Sequence, residues 1–205
     1  MKYWKSPAHR IGWLFVAATA AGVASVLVTS SIFGSDDVLA SVRADQHRLL
    51  LGQMLVFVML AAMVGTAVLL GPILRPHSET LALGYVLART LEVVTLTIGL
   101  VAGLLLIPLS WSAAGAEVAS ANVLADSLDA ANEWTGYLGA QMVFSISALV
   151  LNWTFFRYEL VPRWLSVWGL VGVPLMFLSG FLVMFESLNS NASTWNLLVL
   201  SLIHI

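Results

Sequence analysis

Leu81-Ala-Leu-Gly-Tyr-Val-Leu-Ala-Arg-Thr-Leu-Glu-Val-Val-Thr-Leu-Thr-Ile-Gly-Leu-Val-Ala-Gly-Leu-Leu-Leu-Ile107 is apolar along nearly its whole length, yet it carries Arg89 and Glu92 three residues apart. A helix needs about 20 apolar residues to cross the roughly 30 Å of bilayer hydrocarbon, and this run supplies them. A charged side chain at that depth costs about 2.5–3.5 kcal/mol on insertion scales, so it is rare unless paired or functional. The stretch therefore reads as a membrane helix with an intramembrane ion pair.

The rest of the chain agrees. It has 205 residues, 60% hydrophobic and 10% charged, with a mean hydropathy of +0.92. Soluble domains carry about 25% charged residues. Apolar blocks of span length recur at about 11–33, 49–74, 80–107, 134–156 and 164–185. A sixth begins near Trp195 and meets the end of the given sequence after 11 residues, too few to cross. The expected fold is all-α: a polytopic membrane helix bundle of five complete transmembrane helices plus a truncated sixth. Residues 1–199 are read as one helix-bundle domain. Leu200-Ser-Leu-Ile-His-Ile205 matches a translation of CTG TCT CTT ATA CAC ATC, the end of a transposase sequencing adapter, and is read as a scar.

Ala18-Thr-Ala20 after a basic start also fits a signal peptide, but the apolar run of about 23 residues exceeds the usual signal core of about 7–15. It is read as the first span. Placing the N-terminus in the cytoplasm leaves Lys2, Lys5, Arg10, Arg75, Arg157 and Arg163 inside, and only Arg43 and Arg48 outside. That asymmetry gives an N-inside protein of the cytoplasmic membrane. The segment from Ser110 to Glu133 reads as an external loop holding a short interfacial helix, with Val118, Val123, Leu124 and Leu128 on one face.

Several function classes lack their chemistry here. There is no cysteine, hence no disulfide or thiolate metal site. His9, His47 and His77 lie at or beyond the span ends, His204 falls in the suspected scar, and no His-Glu-x-x-His occurs. No aspartate lies within a span, so an intramembrane aspartyl dyad is excluded. A net charge of −2 without a basic run gives no reason to expect nucleic acid. The expectation is no enzyme, no cofactor and no metal. The bilayer is the expected partner, and a homo-oligomer or an unidentified membrane partner stays open.

At about 100° per residue, Glu92 shares a stripe with Tyr85, Ala88, Leu96, Gly99 and Gly103, with Arg89 at its edge. Gly99-x-x-x-Gly103 has the spacing that lets membrane helices approach closely. Leu91, Val94, Ile98, Val101 and Leu105 fall on the other side and suit lipid. The fourth span carries a second polar stripe: Trp134, Tyr137, Gln141, Ser145, Ala148 and Asn152. Matching depths, about 18 Å for Glu92 against about 16 Å for Ser145 and 22 Å for Gln141, predict that the stripes face each other. Ser145 or Gln141 is then expected to hydrogen-bond Glu92, with Asn152 further along. Pro174, near Gly169 and Gly172, is expected to kink the fifth helix. Asn191-Ala-Ser193 fits a glycosylation acceptor by chance.

Three segments carry a family resemblance. Arg10-Ile-Gly-Trp-Leu-Phe, the run around Arg89-Thr-Leu-Glu-Val-Val, and Tyr158-Glu-Leu-Val-Pro-Arg-Trp-Leu-Ser-Val-Trp-Gly-Leu-Val-Gly172 together resemble the bacterial membrane proteins grouped as domain of unknown function family 4386. The resemblance implies the six-helix fold and no particular activity. It departs at the sixth helix, and at Trp134-Thr-Gly-Tyr, where many relatives are expected to have a histidine. Two readings of the polar site follow. In one, the chain is a non-enzymatic structural or regulatory protein with Arg89–Glu92 as an internal clasp. In the other, it is a small-molecule or proton-coupled transporter using Glu92 in a polar cavity between the third and fourth helices.

Overall fold

Inside hydrocarbon only a helix satisfies every backbone N–H and C=O within one segment, so the apolar blocks become helices. A computed structural model describes residues 7–33, 35–112 and 118–186. It contains α1 (Pro7–Thr29), α2 (Val38–Ala44), α3 (Gln46–Leu74), α4 (Glu79–Ser112), α5 (Val118–Gly136), a π-helical segment (Tyr137–Val143), α6 (Phe144–Tyr158) and α7 (Arg163–Glu186). Among the described residues there is no strand. Five helices among the described residues are long and apolar enough to cross a membrane: α1, α3, α4, α7 and the continuous helix Val118–Tyr158. The protein is therefore an all-helical, multi-pass membrane protein. The sixth span at Trp195, the suspected scar and Asn191-Ala-Ser193 lie outside the described residues, as do Lys2 and Lys5 of the orientation argument.

The described residues pack as two compact units. One comprises those up to Thr66 together with Val93–Thr135; the other comprises Ala67–Glu92 together with those from Gly136 on. In the first unit, α1 buries Ile11, Ala18, Ala21, Ser25 and Thr29 along one helical face. Ala18 packs with Leu60, Ala62 and Met63 of α3. A second cluster gathers Val38, Leu39 and Val42 of α2 with Ile32, Leu49, Leu106, Ala121 and Ala125. Asp37 caps α2, its Oδ1 accepting from Ala40 N at 2.8 Å. Arg43 Nε donates to Ser110 O at 2.9 Å, fastening α2 to the end of α4.

The 110–133 region departs from expectation. The interfacial helix is the beginning of the fourth membrane helix itself, which starts at Val118. Val118, Val123 and Leu124 point outward, at 41%, 67% and 50% exposure. Its buried face is Ala121 and Ala125, with Leu128 packed alongside. Alanine is the strongest helix former, and its small side chain admits the close approach to α2 that larger residues would block.

Buried polar side chains in this unit sit over glycines. A Cβ at Gly52 would strike Thr29, one at Gly99 would strike Thr135 Oγ1, and one at Gly103 would strike the Gln53 amide. Asn132 Nδ2 also donates to Gly99 O at 2.9 Å. Gly99 and Gly103 thus serve as seats for polar side chains from neighbouring helices. The opposite side of α4 is apolar and outward, with Leu91, Val94, Ile98, Val101 and Leu105 each about half exposed.

Candidate functional site: a buried ion pair in the second unit

Tyr85, Arg89 and Glu92 occupy successive turns of α4, and all are buried, at 1%, 4% and 2% exposure. Spacing of three and four residues stacks side chains on one helical face. Arg89 Nη1 donates to Glu92 Oε2 at 2.8 Å, closing the ion pair within the helix. From α6, the Phe144 ring stands under the guanidinium, its centroid 5.5 Å from Cζ. That placement adds a cation–π attraction in a site without water screening. Ser147 Oγ reaches Glu92 Oε2 at 3.3 Å and shares its proton with Phe144 O at 2.9 Å. The ion pair is thus met by α6 through one ring and one hydroxyl.

The expected partners are elsewhere. Ser145 Oγ donates to Gln141 O at 2.5 Å, and Asn152 Nδ2 donates to Ala148 O at 2.9 Å. The stripe containing Gln141 and Asn152 faces α7, where a Cβ at Gly180 would meet Gln141 and one at Gly169 would strike the Asn152 amide. Ser147, not Ser145 or Gln141, is the hydroxyl on Glu92. The reason is spatial: a primary amide needs a notch, and α7 offers glycines while α4 presents Arg89 and Tyr85 there. The face of α6 toward the α4 segment of this unit is Phe144, Ser147, and Val150, the last 4.0 Å from a Cβ built on Gly84.

A matched spacing could have revealed this from sequence. Gln141 and Asn152 are eleven residues apart, as are Gly169 and Gly180, and eleven residues make three helical turns. In an antiparallel pair, that coincidence seats both amides over glycines at once. Pro174 lies inside α7 on its exposed side. At the other end of α6, Glu159 terminates the helix in the left-handed region (φ 54°), and His77 packs on Tyr158 with ring centroids 5.3 Å apart. Among the described residues, no group of three or more His, Cys, Asp or Glu is placed to hold a metal ion.

What fold and site define is a multi-pass membrane helix bundle in which a buried ion pair on one helix is met by aromatic and hydroxyl groups of another. The chain belongs to the family described as Domain of unknown function (DUF4386), whose model matches residues 11–205. No curated protein and no solved structure matches it.

Proposed function

We propose that this is a non-enzymatic membrane protein of structural or regulatory role, in which Arg89–Glu92 is an internal clasp between α4 and α6. The supporting observation is the 2.8 Å ion pair at 4% and 2% exposure. A charge so enclosed is tolerable only while its partner is present. The clasp gives specificity: among the ways α6 could rotate against α4, it favours the one that puts Phe144 and Ser147 on the pair. The protein resides in the cytoplasmic membrane with its N-terminus inside, following the excess of Lys and Arg in those connections. Its partners are lipids and, for assembly, another copy or a membrane protein; nucleic acid is not among them.

Arg89→Ala and Glu92→Gln, expressed separately and extracted in mild detergent, test this reading. A clasp requires both variants to lose folded protein, since each leaves one buried charge alone. A carrier that titrates Glu92 requires Glu92→Gln to fold at full yield while losing proton-coupled uptake. That outcome would replace the clasp with transport.

A further inference from the structure

The side chains that α6 brings to the ion pair depend on the seven-residue π segment Tyr137–Val143 that precedes it. A segment closing i→i+5 bonds holds one residue more than the α-helical turn it replaces. Its junction with α6 is in a mixed state. Phe144 N–H is divided between the carbonyls of Gly139 and Gln141, and Ser145 Oγ also takes up Gln141 O. Within the segment, Gln141 Oε1 is buried without a hydrogen-bond partner.

We infer that the surplus residue is a register switch for α6, held in its present place by the Arg89–Glu92 pair through Phe144 and Ser147. With the surplus in Tyr137–Val143, those two residues meet the pair. Carried along the helix past Thr154, the same surplus would let each residue of α6 take the position of the one after it. Val143 and Ile146 would then stand opposite the pair, and Leu149 would replace Val150 opposite Gly84. The pair would lose its ring and its hydroxyl and face aliphatic groups, so the ion pair favours the π segment where it is. The inference rests on the clasp reading, and it adds that the clasp selects between two discrete arrangements of one helix.

The absence of cysteine makes disulfide trapping clean. A Cβ on Gly84 lies 4.0 Å from Val150 Cγ1, close to where the Sγ of a cysteine at 150 would stand, so the two sulfurs can meet after a small adjustment. In the full chain in native membranes, Gly84→Cys with Val150→Cys is expected to close under mild oxidation, and Gly84→Cys with Leu149→Cys is not. Adding Glu92→Gln, or Ser147→Ala where the first lowers folded yield, is expected to raise closure at 149 relative to 150 roughly five-fold or more, as loss of one hydrogen bond implies. Deleting the exposed Ala140 removes the surplus, so closure at 150 should persist whichever residue stands at 92 or 147. An unchanged ratio in both substituted chains, or closure at 149 in the deletion chain, overturns the switch. Reduced folded protein with an unchanged ratio keeps the clasp and discards the switch.

Discussion

Replacing Gly169 by alanine tests the seat beneath Asn152. A Cβ there would land on the Asn152 amide, against Oδ1, Cγ and Nδ2 together, so the whole amide must move rather than its tip alone. Forcing a methyl into a packed contact costs about 1–3 kcal/mol. Displacing the amide also breaks Asn152 Nδ2 to Ala148 O, 2.9 Å long, a net loss of about 0.5–1.5 kcal/mol. Alanine returns up to about 1 kcal/mol through its better helix propensity. The balance is a destabilisation of about 0.5–3.5 kcal/mol, centred near 2. Gly172→Ala on the same helix is the control: nothing lies within 4 Å of its Cβ, so it should be neutral or slightly stabilising. Combining Gly169→Ala with Asn152→Ala removes the collision, so the pair should show a coupling of about 1 kcal/mol. Reversible unfolding in mixed SDS micelles, followed by circular dichroism, measures all four. If Gly169→Ala proves as benign as Gly172→Ala, the amide-over-glycine account of α6–α7 packing is wrong.

Three further outcomes follow from the same geometry. Gly103→Ala should destabilise by about 1–3 kcal/mol in the same unfolding assay by expelling the Gln53 amide, whereas Gln53→Leu should be nearly neutral, because it removes an Oε1 that is buried without a partner. Glu159→Gly should raise the melting temperature, since a non-glycine residue at φ 54° costs about 1–2 kcal/mol and the exposed ion pair with Arg163 returns little of it. Arg75→Ala should change stability by no more than about 1 kcal/mol, because Arg75 and Glu79 are 71% and 73% exposed at their side chains.

The sequence made the spans legible because their apolar blocks match the bilayer, and the ion pair legible because two opposite charges three apart share one helical face. Helical periodicity identifies a face but not what it meets. The stripe of Gln141, Ser145 and Asn152 was therefore assigned to Glu92, although its amides are seated on the glycines of α7. Phe144 and Ser147 were missed because a phenylalanine and a serine in a membrane helix look like ordinary lining. The π segment could not be read at all, because a calculation at 3.6 residues per turn assumes it away. The α5 region was read as a separate interfacial helix, because its spacing shows an apolar face but not that the helix runs on into the fourth span with Ala121 and Ala125 as its packed side.

The central claim is that Arg89 and Glu92 act as one unit, and a double-mutant cycle measures that directly. Arg89→Met and Glu92→Met singly should each cost about 3–5 kcal/mol by leaving a buried charge uncompensated. The double replacement should cost far less than their sum and approach the parent, since an apolar pair of similar volume often serves as well as a buried ion pair. Single losses that simply add in the double variant would contradict the clasp.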